Sequence, residues 1–370
     1  MNFEVYSIDE LSPLFLREIT AFLDSQESSH IFQFPQWSES SAKYALYRER
    51  GNIRWFSAFG IHSPIGRAWP WMRAVVVNHG PVCDDENLWQ SMTGEFAARL
   101  ALDNYSYLEV SPDRLRIAGK NLEDGFTSLA WTRIGADRFS LRLDLTDGED
   151  AIFGRFRKSS RYEVRHAERL GVSVAPAVSA SEIEEFLTLH SRLSIRKGFP
   201  AASPEQIKAA VRWLIDDTRR GALLLARAED AVRGGAVIAR CGKRCSYLLG
   251  ATENDCYNVG HILQWNALLW AKAHGCDEYD FGGYTPGAKT GPAWFKAGFG
   301  GRVVRFAASY RKILRPGYYR VFQLASHLRN RHKARVQPEP VVNEPLASVA
   351  ARREPASRIS EANRESELQC

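Results

Sequence analysis

Along most of the chain, apolar residues at three- and four-residue spacing alternate with short apolar runs. That is the pattern of helices interleaved with strands. In the first 145 residues it predicts helices from Ser12 to Leu23 and from Asn87 to Leu102, between the strands IRWFSAFGI, AVVVN and SYLEVS. FSLRLDLTD adds a strand over Leu141 to Leu145, and the acidic TDGED after it suits a helix start. A second α/β unit opens with one long helix, AIFGRFRKSSRYEVRHAERLG, whose apolar positions Phe153, Phe156, Val164 and Ala167 share a face and which stops at Gly171. The strand VSVAPAV follows, then Ser181 and Glu184 form a capping box for a helix to about Ile195, and Ser203 and Pro204 open PEQIKAAVRWLIDD. LLLARA, GGAVIARC and SYLLGAT read as an antiparallel meander, and a helix near Val259 to His274 leads through Gly275 into the strand CDEYDFGG. Within that strand Tyr279 and Phe281 share one face and Asp280 takes the other.

The expected fold class is therefore α/β with mixed α+β sheets, in two units within 370 residues. The expected boundaries are 1–145 and 146–312, then a basic amphipathic helix over 313–335 and a disordered tail over 336–370. The helix rests on Tyr318, Val321, Phe322, Ala325 and Leu328 at helical spacing; the tail is rich in Pro, Glu, Ser and Arg and poor in aromatics.

Charge changes this picture in one place. The net charge of +6 is not spread over the chain: Arg311 to Arg335 holds eight Lys or Arg and no acid, the tail is net acidic, and residues before Arg311 balance. A local basic helix suits an anionic surface, so a peripheral contact at the inner membrane surface through residues 311–335 is expected, and DNA is not an expected partner. The acidic residues of MNFEVYSIDELSPLF and the lack of an 18-residue apolar run point to the cytoplasm. The six cysteines lack metal-ligand spacing and read as thiols, and no metal site is expected.

Candidate chemistry narrows to a few segments. GGYTPGAKTG approaches a phosphate-binding loop, but after Gly282 and Gly287 comes Ala288, and Lys289 stands one place late. In WFKAGFGG, by contrast, Lys296 sits among Trp294, Phe295 and Phe299 with glycines that allow close backbone approach. Arg157, Arg161 and Arg165, with Lys158 and Arg169, make one helical face cationic, which suits the phosphates of tRNA, a nucleotide-linked substrate or coenzyme A. Arg196 and Lys197 close another helix at the end where cations suit the helix dipole. The patterns of zinc proteases, serine-hydrolase elbows and dinucleotide loops are all missing from the sequence.

Taken in order, HIFQFPQW, NHGPV, LRLDLTDGEDAIFGRFRKSSRYEVRHAERLGVSV, SIRKGFP, YLLGAT, ILQWNALLWAKAHGCDEYDFGG and FKAGFGG resemble the FemABX family of peptidyl and aminoacyl transferases, within the GNAT-like acyltransferase superfamily. These segments cover most of residues 30 to 310. The most specific are the basic helix with its Gly-Val strand and the DFGG and FKxGFGG ending.

The resemblance implies tandem GNAT-like domains and transfer of an aminoacyl or acyl group to an amine, in cell-wall members the peptide stem of a peptidoglycan precursor. It implies no tightly bound cofactor: the donor is aminoacyl-tRNA or acyl-CoA. It places Lys296 at the transfer site beside Phe295, and Arg196 on the substrate side. Asp280 is then a candidate to hold or deprotonate the amine, Tyr257 and Tyr284 to complete the substrate shell, and Arg161 and Arg165 to meet donor phosphates. The sequence departs from its relatives in two respects. The long charged helical hairpin of some members is missing, and TENDCYNVG lacks the Q-x-x-G-x-G/A pattern that binds the coenzyme A pyrophosphate. Two other readings stay open: an acyl-CoA-dependent N-acetyltransferase on a small amine or amino sugar, and a non-catalytic module recruited through the basic helix.

Overall fold

The structure is a computed structural model that describes residues 3–38, 41–64, 72–117, 119–198, 203–253 and 256–336. The expected tail after 336 and the FP of SIRKGFP lie outside those residues.

Two seven-stranded mixed sheets form the body. The first runs in the order Glu4–Ser7, Lys43–Glu49, Asn52–His62, Arg73–Asn78, Tyr105–Ser111, Ser309–Ile313, Thr132–Ile134. The second runs Ser173–Pro176, Gly221–Ala228, Ala231–Cys241, Arg244–Thr252, Glu278–Gly283, Arg138–Asp144, Arg302–Phe306. Each sheet is antiparallel except at one parallel pair, and each parallel pair is joined by a crossover helix, Glu86–Leu102 in the first and Gly260–Ala273 in the second. The expected meander is present as the antiparallel ladder of Gly221–Ala228, Ala231–Cys241 and Arg244–Thr252.

Two strands depart from sequence order. Arg138–Asp144, expected to close the first unit, lies in the second sheet between Glu278–Gly283 and Arg302–Phe306. Ser309–Ile313, expected in the second unit, completes the first sheet beside Tyr105–Ser111. Boundaries at 145 and 312 therefore cut across both sheets, because strand partners are chosen by edge complementarity rather than by chain neighbourhood.

The long helix expected from Ala151 is two helices, Glu149–Gly154 and Lys158–Arg169. At the break, Arg161 Nη1 donates to the carbonyls of Gly154, at 3.0 Å, and Phe156, and the amide of Arg157 donates to Gly298 O at 2.7 Å. A side chain and a neighbouring loop thus satisfy groups that a continuous helix would have paired internally. The capping box also sits two residues earlier than expected, on Ser179 and Glu182, while Glu184 pairs with Lys208.

The two units share a core: Ile19, Leu23, Phe34 and Phe56 from the first pack with Phe186, Val211, Leu214 and Val237 from the second. Arg220 bridges them, holding both oxygens of Asp24 at 2.6 and 2.8 Å. The basic helix runs Pro316–Val336. Two cations of its approach serve the fold: Arg311 donates to Glu109 at 2.7 Å and Lys312 to Leu129 O at 2.6 Å. Among the described residues, no helix is long and apolar enough to cross a membrane.

Candidate active site

The parallel strands Arg244–Thr252 and Glu278–Gly283 pair only through Arg244 with Glu278, Cys245 with Tyr279 and Ser246 with Asp280. Past that point they separate. A bulge opposite Val237 and Ile238 turns one strand after Tyr247, and Gly282, at φ +71°, bends the other. Beside the far end of Arg244–Thr252, bounded by Gly235 and Ala236 of the neighbouring strand and by the helices that start at Gly260 and Gly291, lies a cavity of about 520 Å³.

Glycines make it possible: Gly235, Gly250, Gly260 and Gly291 line the cavity. A Cβ on Gly250 would lie 1.9 Å from the Tyr247 hydroxyl, which folds across it. Polar groups enter from Thr252, Asn258, His261 and Gln264, and an aromatic wall from Tyr247 and Phe295. The crossover helix Gly260–Ala273 begins at this cavity with Val259 as its N-cap and no capping side chain. Its first amides are therefore available to an anionic oxygen.

Lys296 occupies the short helix Gly291–Ala297, half-buried, and donates through Nζ to Gly283 O at 2.8 Å. Burial lowers the pKa of its ammonium and nearby Asp280 acts in the opposite sense. The glycines after it permit tight packing: a Cβ on Gly298 would lie 2.3 Å from Ser160 Oγ, and one on Gly301, at φ +100°, 2.6 Å from Arg142 O.

Asp280 is buried and committed. Ser140 Oγ and the amide of Gly282, at 2.8 Å, donate to Oδ1, and Arg142 Nε donates to Oδ2 at 2.7 Å. Both carboxylate oxygens are thus taken up by a guanidinium, a hydroxyl and an amide. These contacts brace the strand that ends beneath Lys296.

The other expected residues divide. Phe295 lines the cavity, and Arg196 reaches its rim, donating to Thr252 O at 2.9 Å. Tyr257 packs in the core of the second unit under the Arg233 guanidinium, 5.0 Å from its ring centre, and Tyr284 packs against the same core, so neither forms the wall. Arg161 and Arg165 lie with Lys158, Tyr162 and Arg169 on a separate cationic hollow of the Lys158–Arg169 helix. That helix is tied to the cavity by Asn258, which donates to Glu163 at 2.8 Å.

One cavity residue escaped the sequence reading. His261, in the first turn of the crossover helix, lies against Phe295 and Phe299 with ring centres 4.8 and 5.6 Å away. Its Nδ1 is buried and has no hydrogen-bond partner. Such an orphan costs about 1–3 kcal/mol. Burial, with Arg157 adding and Glu163 opposing, lowers its pKa below the usual histidine range and favours the neutral ring. The only sequence signal was its place after Gly260 at a helix start.

A second histidine cluster joins the two units. His30 stacks on His79, and with Asp113 they offer metal-type ligand atoms within 4.8 Å of one another. Asp113, however, is already shared between His79 Nδ1 at 2.5 Å and Arg138 at 3.0 Å. Burial opposes its ionisation, but His79, His30 and Arg138 outweigh burial and hold the carboxyl well below the usual range. The cluster has the chemistry of an ion-pair junction between the units rather than of a cation site.

Two mixed sheets, each with one parallel pair joined by a crossover helix and the second with that pair parting beyond Ser246 and Asp280, give the fold of a tandem GNAT-like protein. The acetyltransferase (GNAT) domain family matches residues 154–296. A UDP-N-acetylmuramoylpentapeptide-lysine N(6)-alanyltransferase of Weissella viridescens is 24% identical over 149 residues, 40% of this chain and 44% of that protein. A lipid II:glycine glycyltransferase of Staphylococcus aureus (strain bovine RF122 / ET3-1) is 25% identical over 198 residues, 48% of this chain and 46% of that protein. The chain thus spans less than half the length of these curated relatives. The crystal structure of FemX has a TM-score of 0.71 at 15% identity, covering 88% of this chain and 99% of that one. The chain thus carries a GNAT acetyltransferase domain match over residues 154–296, has the fold of FemX, and is similar over part of its length to the two cell-wall aminoacyl transferases.

Proposed function

We propose that this chain is an N-acyltransferase that moves an aminoacyl group onto an amine of a peptidoglycan precursor. The observation that carries the reading is the cavity beside Arg244–Thr252, with an uncapped helix start on one side and Phe295, the chain neighbour of Lys296, on the other. The alanyl and glycyl transfers named for the two relatives support the substrate class.

An activated ester needs little from the protein beyond placement of the amine, removal of its proton and stabilisation of the oxyanion. The helix amides and the Lys296 ammonium suit the oxyanion or a donor phosphate. Phe295 and Tyr247 hold the acyl group, and Arg196 meets the acceptor at the rim. The cationic hollow around Arg161 and Arg165 lies where a phosphate-bearing donor would pass. A second reading, with acyl-CoA as donor, is favoured by the matched GNAT acetyltransferase domain. Either donor suits a cytoplasmic site of action.

The test is incubation of the purified chain with UDP-N-acetylmuramoyl-peptide and, in separate arms, a mixture of aminoacyl-tRNAs or acyl-CoA, with products read by mass spectrometry. An acceptor mass increased by one aminoacyl residue is expected. Product in the acyl-CoA arm alone would replace the donor, and no product in either arm would overturn the reading.

A further inference from the structure

We infer that His261 takes the proton from the attacking amine, acting as general base in the acyl transfer proposed above, on which this inference rests. The imidazole lines the cavity beside Arg244–Thr252, 4.8 Å from the ring of Phe295, whose chain neighbour is Lys296. Its Nδ1 is enclosed without a partner, so that nitrogen is committed to no structural hydrogen bond.

The other candidate bases around the cavity are engaged or too weak. Both oxygens of Asp280 are held, and Lys296 donates to Gly283 O. Gln264 Oε1 accepts from Tyr279, and Asn258 donates to Glu163. Burial pushes the Tyr247 phenol up to about 12, which keeps it protonated. Glu163 and Arg157 act on His261 from the neighbouring helix in opposite senses, and burial exceeds both. The ring is therefore neutral at physiological pH and able to accept a proton.

In the step itself the amine nitrogen attacks the acyl carbonyl, the N–C bond forms, and the carbonyl electrons move to oxygen. His261 removes the extra proton from nitrogen. As the tetrahedral centre collapses, the bond to the leaving ribose oxygen or thiolate breaks, and the imidazolium returns that proton to the leaving group. Charge and protons balance with no further reactant.

The experiment compares wild type, His261→Gln, His261→Ala and His261→Phe in the transfer assay across about pH 5–8. Circular dichroism melts check folding, and the phenylalanine variant keeps the aromatic packing should the smaller side chains fail to fold. A fall in kcat of about 10²–10⁴ is expected with KM for both substrates nearly unchanged, together with loss of the acidic limb and partial rescue of His261→Ala by added imidazole. Folded variants that keep the wild-type rate and acidic limb would overturn the role of His261 while leaving acyl transfer standing. A wild-type protein inactive with both donors would overturn both.

Discussion

Arg142 and Asp280 form a buried ion pair on adjacent antiparallel strands, Nε to Oδ2 at 2.7 Å, and Arg142 also reaches Glu278 at 3.1 Å. The pair stands under the strand end that holds Lys296 through Gly283 O. It holds the Asp280 side chain beneath that strand end.

Asp280→Asn should therefore act first on stability. Removing one partner leaves a buried guanidinium undercompensated, at a cost of up to about 3 kcal/mol because Glu278 remains. Urea denaturation should show the loss, while the pH profile of any transfer keeps its shape. A variant of wild-type stability that lost the acidic limb would instead make Asp280 the base.

Lys296→Met should lower kcat by about 10²–10³ if the ammonium meets the oxyanion. Its pKa is lowered by burial, so the wild-type enzyme should lose rate on the alkaline side, as pH rises through a value below 10.5. The variant should lack that limb. Folding has the opposite sign: between the folded and unfolded values the unfolded chain binds more protons, so this lysine makes stability rise with pH. Parallel rate and urea titrations separate the two.

How far the sequence spoke depends on the range of the interaction. Helices, the meander and the alternation of Tyr279, Asp280 and Phe281 were legible because they follow from residues within a few places of each other. The exchange of Arg138–Asp144 and Ser309–Ile313 between sheets was not, since each pairs with a strand more than a hundred residues away. The face of Asp280 was legible but its partners were not, because Ser140 and Arg142 lie 140 and 138 residues upstream. His261 carried no motif. A lone histidine at a helix start gains meaning only when Phe295 and Phe299, from a later segment, close around it.

Deleting residues from Ser309 onward should unfold the first unit. The lost strand pairs on both sides, with Tyr105–Ser111 and Thr132–Ile134, and Tyr310 stacks on Phe126 at 4.3 Å. A membrane or nucleic-acid role for the basic segment can be tested by charge reversal at Arg315 and Arg320, which leaves the strand intact.

Stability should fall as pH drops below about 6.5, the free histidine value. Burial lowers the pKa of His30 well below that value, with His79, Arg244 and Arg142 adding and Asp113 opposing. The unfolded chain therefore takes up its proton first, and unfolding is favoured through that window. His30→Asn removes the titration and keeps an acceptor for the Phe32 amide, which His30 Nδ1 accepts at 3.3 Å. A shallower dependence of urea midpoints between about pH 7 and 5 is expected, and an unchanged slope would place the effect elsewhere.

Gly250→Ala should close the cavity. The added methyl would lie 1.9 Å from the Tyr247 hydroxyl and 2.8 Å from its Cζ, so the ring, which lines the cavity, must be displaced. The single variant should lose transfer by raising KM for the donor, with a modest loss of stability from the displaced ring. Tyr247→Ala alone enlarges the cavity and weakens acyl packing. Together the two changes remove the collision, so the double variant should bind donor better than the sum of the single losses allows, with a coupling of about 0.5–3 kcal/mol. Additive effects would mean that the tyrosine moves elsewhere and that Gly250 shapes the bulge rather than the pocket.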